Sequence, residues 1–92
     1  MERLSVARVE EHLKGSVWRR HDEAIERDVE RESFVDALAF VNAVGELAEA
    51  ANHHPDILIH SYKHVRLTLS THYAGGLTEL DFALARAIDE LP

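Results

Sequence analysis

The chain has 92 residues, 46% of them hydrophobic, which is enough for one small core and leads us to expect one domain over 1–92. It has no cysteine, which rules out disulfides, thiolate metal sites and cysteine nucleophiles, and its net charge of −7 argues against broad nucleic-acid or anionic-membrane binding. No apolar run approaches the roughly 20 residues of a membrane span and no apolar signal segment opens the chain, so the expected setting is a reducing cytoplasm.

Ser5 precedes Val6, Val9 and Leu13, a spacing that predicts a short amphipathic helix capped by Ser5 and closed at Lys14-Gly15. Val17 to Arg20 reads as a short strand, His21-Asp22-Glu23 as a turn, and Ala24 to Glu30 as a second strand, with Ile25 and Val29 on one face. Ser33 starts the longest helix, with Asp36 placed for a capping box and an apolar stripe through Phe34, Leu38, Val41, Ala48 and Ala51. Gly45 inside that helix suggests close approach to another element. Pro55 bars helix from His54 onward, which places Asn52, His53 and His54 at the helix end.

Ile57 to Ser61 reads as a third strand and Val65 to Thr71 as a fourth, with Val65, Leu67 and Leu69 alternating against Arg66, Thr68 and Ser70. His72 continues the polar parity and is expected to point away from the core. Ala74-Gly75-Gly76 is a flexible connection. Thr78 then opens the last helix with Asp81 as its box partner, burying Leu80, Ala83, Leu84, Ala87, Ile88 and Leu91. The order α-β-β-α-β-β-α, with hairpin-length connections, predicts an α+β fold: a four-stranded antiparallel sheet with three helices packed on one face.

Three of the seven histidines, His53, His54 and His72, fall where a helix end and a strand end would meet. Imidazole titrates nearest neutrality, so their convergence suggests acid–base chemistry, with Glu49 four residues before His53 on the same helical face and able to orient that ring. A metal site using the same three histidines, with Glu49 or Asp56, is the second reading; adjacent histidines at a bend, without HExxH or CxxC spacing, speak against it. The plain reading is surface histidine, which we expect for His12 and His21 and favour for His60 and His64.

The pattern Glu49-x3-His53-His54-Pro55-x6-Tyr62-x9-His72-x8-Asp81 resembles the signature of the pterin-4a-carbinolamine dehydratases. The surroundings agree: Leu69-Ser70-Thr71-His72, Gly76-Leu77-Thr78-Glu79-Leu80-Asp81, Trp18 and Ile25-Glu26-Arg27. The chain departs from the family after Pro55, where a frequent aromatic is missing, and at Val29 and Arg31, where aromatics are common. The resemblance implies a hydro-lyase that dehydrates 4a-hydroxytetrahydropterin to quinonoid dihydropterin, the recycling step after aromatic amino-acid hydroxylation. It also implies that no metal or organic cofactor takes part. By that analogy His53 and His72 transfer protons, His54 orients substrate and Glu49 supports an imidazole, while Asn52, Pro55, Ser70, Thr71 and Tyr73 line the pterin pocket. The family further implies a homodimer or homotetramer without direct nucleic-acid contact. Animal members also serve as dimerisation cofactors for a homeodomain transcription factor, a protein-binding alternative to catalysis.

Overall fold

Side-chain caps decide where the helices begin. In the computed structural model, which describes residues 1–92, Ser5 Oγ accepts from the Arg8 amide at 3.1 Å and opens α1 (Val6–Leu13). Ser33 Oγ accepts from the Asp36 amide at 3.1 Å and opens α2 (Phe34–Ala51); the Asp36 carboxylate returns no bond, so only half of the expected box forms. Thr78 opens α3 (Glu79–Asp89) with the full box, the Asp81 carboxylate accepting from the Thr78 amide at 2.9 Å.

The strands are β1 (Arg19–His21), β2 (Ala24–Glu30), β3 (Asp56–His60) and β4 (His64–Leu69), paired antiparallel in the order β1-β2-β4-β3. The fold is α+β in the order α-β-β-α-β-β-α, with three helices over one face of the sheet. Ile25 and Val29 of β2 meet Val65, Leu67 and Leu69 of β4 on the covered face, and all five are buried. Each such aliphatic side chain contributes about 1.5–3 kcal/mol by leaving water. The open face carries charge: Arg66 donates to Asp28 at 2.8 Å, and that bond holds the Asp28 carboxyl below the usual carboxylate range.

Several boundaries differ from the sequence reading, each for a local reason. β1 starts two residues later than Val17, because Trp18 is drawn into the core, where its indole Nε1 donates to Asp89 at 2.9 Å. β3 runs one residue earlier than expected, because Ser61 and Tyr62 both take left-handed conformations in the hairpin turn. β4 stops at Leu69, so Ser70 leaves the ladder and Thr71 keeps only a bridge to Gly76. His72 therefore opens a 3-10 turn (His72–Ala74) and does not extend the strand, although it is exposed as its parity predicts.

The helix faces also turn relative to expectation. α2 buries Ala37, Phe40, Val44 and Ala48; of the predicted stripe only Ala48 is buried, while Phe34 and Leu38 are 49% and 38% exposed. A helix apolar on two sides offers two stripes of equal spacing, and periodicity alone does not choose between them. In α3, Leu84 and Ile88 are buried as predicted, but Phe82, Ala85 and the carboxylate of Asp81 take the inner positions expected for Leu80, Ala83 and Ala87. Gly45 makes no close approach within the chain, since a Cβ there would meet nothing within 4 Å.

His12 is not the surface residue that the sequence suggests. Its ring stacks on Phe82 at 4.3 Å between centroids, and its Nε2 lies 2.8 Å from Glu79 Oε1, which ties the end of α1 to the start of α3. His12→Ala is expected to cost about 1 kcal/mol from the lost stack and hydrogen bond. Calorimetry should read this as a melting temperature about 4–8 °C lower.

Candidate functional site

Three segments meet at the C-terminal end of β4. The β3–β4 register sets Asp56 opposite Thr68, which brings the preceding His53 and His54 alongside Ser70 and His72. On the other flank β2 pairs Ile25 with Leu69, which brings the β1–β2 turn beside Ser70. A cavity of about 290 Å³ lies here, lined by Asn52, His53, His54, Ser70, Thr71, His72 and Tyr73. Seven of the eight residues expected to bind substrate line it; Pro55 does not.

The end of α2 explains why adjacent histidines point apart. Asn52 takes a left-handed conformation, φ 51°, while the His53 amide reaches back to the Ala48 carbonyl at 3.1 Å. That reversal sends the His53 ring inward, with 10% of its side chain exposed, and leaves His54 outward with 56% exposed. The helix end is thus capped, where the sequence suggested only a stop before proline.

The carboxylate partners follow from this turn and correct the expected pairing. Glu49 does not meet His53: its Oε2 lies 2.5 Å from His54 Nε2. The His53 partner is Asp81, whose Oδ1 lies 2.6 Å from His53 Nε2. Asp81 is fully buried, and its Oδ2 also accepts from Thr71 Oγ1 at 2.8 Å and from the Thr78 amide at 2.9 Å. The single Thr71 proton goes to Asp81, so across the 2.8 Å contact between the two hydroxyls Thr78 is the donor. Every hydroxyl and carboxylate oxygen of this network is thereby engaged, which fixes the directions of its bonds.

The network sets the His53 tautomer. A carboxylate that collects donors from Thr71 and Thr78 also takes the Nε2 proton of His53, which leaves the lone pair on Nδ1. Nδ1 has no partner within the chain, and no buried side-chain nitrogen or oxygen is unpaired, so Nδ1 is open to the cavity side. His72 lines the same cavity without a carboxylate partner. The site therefore holds one imidazole locked by a buried carboxylate, one paired at the surface, and one free. No three His, Asp or Glu side chains are arranged to hold one metal ion.

The Asp81 role was missed because a capping-box acid already has a sufficient local explanation. The one signal in the sequence is that the family-like pattern ends on Asp81; the structure adds that the box uses only one of its oxygens. The remaining histidines lie elsewhere: His60 and His64 stack at 5.4 Å at the opposite end of β4. A larger cavity of about 540 Å³, beside Phe40 and Pro92, contains no imidazole. No helix is long and apolar enough to cross a membrane.

A model of the family described as Pterin 4 alpha carbinolamine dehydratase matches residues 2–91. A relative from Acidobacterium capsulatum is 52% identical over 92 residues, covering 99% of each chain. One from Chloroflexus aurantiacus is 53% identical over 92 residues, covering 99% of this chain and 98% of its own, and both bear the family's name. Among solved structures, a transcriptional coactivator/pterin dehydratase from Brucella melitensis superposes with a TM-score of 0.89 at 34% identity, covering 96% of each chain. A pterin dehydratase-like protein identified as a RuBisCO assembly factor in the alpha-carboxysome superposes with a TM-score of 0.64 at 25% identity, covering 78% of this chain and 84% of its own.

Proposed function

The chain belongs to the pterin 4 alpha carbinolamine dehydratase family, and from that premise we propose that it dehydrates 4a-hydroxytetrahydropterin to quinonoid dihydropterin and water. The observation that carries the reading is the lock between His53 and Asp81 beside an unpaired His72, on one cavity. The reaction breaks the bond from C4a to its hydroxyl and removes the proton on N5. The N5 electron pair forms the new double bond to C4a, one imidazole protonates the departing oxygen, and another takes the N5 proton. His53 and His72 are the proposed pair, each contributing about 10²–10⁴-fold. His54, held by Glu49, orients the ring, with Asn52, Ser70, Thr71 and Tyr73 around it.

Water and the two imidazoles suffice for this bookkeeping, so neither metal nor organic cofactor is invoked. The role is that of a hydro-lyase, a single domain over 1–92, supplying in the cytoplasm the quinonoid dihydropterin that a separate reductase converts back to the tetrahydropterin used in aromatic amino-acid hydroxylation. The deciding experiment adds purified protein to freshly generated 4a-hydroxytetrahydropterin and follows quinonoid product. Acceleration is expected; a rate equal to the spontaneous one overturns the proposal.

Assembly belongs to the same reading. Phe34, Val35, Leu38, Val41 and Gly45 share one side of α2, and β3 leaves an unpaired edge with Leu58 exposed. A second copy of the chain, as a homodimer or homotetramer, would cover such surface, and a glycine with open space above it suits close helix contact. Leu38→Asp is expected to shift the protein to a smaller species in sedimentation at micromolar concentration. A wild-type monomer there would remove the assembly.

The exposed side of α2 also favours the second reading, a protein-binding module in the sense of the coactivator named for the Brucella structure. A pure interaction role would tolerate loss of the histidines, whereas catalysis would not.

A further inference from the structure

A second cavity of about 290 Å³ adjoins the first and shares His54, Ser70 and His72 with it; its remaining wall includes His21, Asp22, Glu23, Asp56 and Thr68. Each cavity alone is at the small end of ligand sites, about 300–1,000 Å³, whereas the continuous groove is within that range. The β1–β2 turn is pinned into this position because Ser70 Oγ donates to the Glu23 carbonyl at 2.7 Å. That bond uses the only Ser70 hydroxyl proton, so Ser70 faces a ligand as an acceptor.

We infer that the β1–β2 turn is the outer wall of the substrate groove and that Asp22, with Asp56 across from it, selects pterins with an uncharged C6 substituent over those with an anionic one. This rests on the pterin reading above. C6 is bonded to N5, so a ring whose N5 lies between His53 and His72 directs its C6 substituent past His54 and His72 into the adjoining cavity.

The charges there are unequal in a useful way. Glu23 is matched by Arg3 at 2.9 Å and by Arg20 at 3.8 Å. Asp22 has only His21 at 3.8 Å, and Asp56 has no cationic partner within 4 Å. No lysine or arginine lines the cavity, whose basic side chains are the imidazoles of His21, His54 and His72. The wall therefore offers acceptors from Asp22, Asp56 and Ser70, which suit a substituent bearing hydroxyl donors. A phosphate or carboxylate in the same place meets Asp22 and Asp56 with no permanent cation to receive it, only imidazoles, two of which (His21 and His54) are already beside carboxylates.

The test uses two matched stable ligands, 6-hydroxymethyl-7,8-dihydropterin and its monophosphate, titrated calorimetrically into the full chain. The neutral ligand should bind more tightly. In the D22N/D56N double variant the ratio of the two Kd values should fall about three- to tenfold, from two charges removed at solvent-exposed positions. Raising the salt should shrink the wild-type ratio in the same direction, because exposed charges are screened. D28N, on another part of the open face, should leave the ratio unchanged. Both exchanged carboxylates are exposed, and circular dichroism checks the fold.

A ratio unmoved in the double variant, a wild type that prefers the phosphate, or binding of neither ligand overturns the selectivity. Dehydration is scored separately. Selective binding without acceleration would sink the reaction and leave the wall in place; acceleration with an unmoved ratio would do the reverse.

Discussion

Replacing either His53 or His72 by Ala is expected to lower kcat by about 10²-fold or more with a modest change in KM, because in the proposed mechanism each imidazole moves a proton only as the transition state forms. The double variant should not lose the product of the two effects, since removing either partner already disables the paired transfer. His54→Ala should act mainly on KM, as an orienting group does. Glu49→Ala should resemble a mild His54 variant, because its carboxylate lies 2.5 Å from His54 and has no contact with His53. His53→Ala also strips a donor from buried Asp81 and should cost about 1–3 kcal/mol, so its kinetics belong well below its melting temperature. His72 is exposed, so its variant should melt normally. Steady-state kinetics across pH, with circular dichroism as the folding control, reads all of these. Near-normal turnover in a folded His53, His72 double variant would remove the acid–base mechanism and leave the protein-binding reading.

The parts of this fold that were legible in sequence are those fixed by local chemistry. Ser5, Ser33 and Thr78 mark helix starts because a hydroxyl within three residues of a free amide needs no tertiary partner. Alternation in Val65-Arg66-Leu67-Thr68-Leu69 marks β4 because period two admits a single buried face. The choice of face on α2 was not legible: Phe34-Leu38-Val41 and Ala37-Phe40-Val44 are both apolar at helical spacing, and only the packed sheet distinguishes them. The gathering of His53, His54 and His72 was legible, since two chain ends converge on β4. Their carboxylate partners were not. A helical extrapolation from Glu49 lands on His53, but the left-handed Asn52 rotates the chain by one residue and delivers His54 to Glu49. His53 then finds Asp81 from 28 positions away, a pairing that no local spacing encodes.

Under the proposed mechanism Asp81 separates catalysis from stability, because one oxygen meets His53 and the other meets Thr71 and the Thr78 amide. In Asp81→Asn the amide oxygen can still accept from Thr71 Oγ1 and the Thr78 amide, so the α3 cap should survive. The amide nitrogen must then face His53 Nε2, which has to become an acceptor and move its proton to Nδ1, the nitrogen otherwise left open to the cavity. The reverse amide orientation would set two donors against Thr71 and Thr78 and is disfavoured. A folded enzyme with the wrong tautomer at His53 should follow, with kcat lower by about 10²–10⁴-fold and a melting temperature changed by only a few degrees. Nitrogen chemical shifts of the His53 ring should report the exchanged proton directly. Asp81→Ala should behave differently. It removes the cap acceptor and leaves Thr71, the Thr78 amide and His53 without their partner, a combined cost of about 2–4 kcal/mol. For a domain of this size that is a fall in melting temperature of about 10–30 °C. The pair of variants is decisive only together. Asp81→Asn turning over normally with a shifted tautomer would show that His53 Nδ1 is not the proton-transferring atom, whereas a collapse in stability equal to that of Asp81→Ala would show that the cap and the histidine share one oxygen.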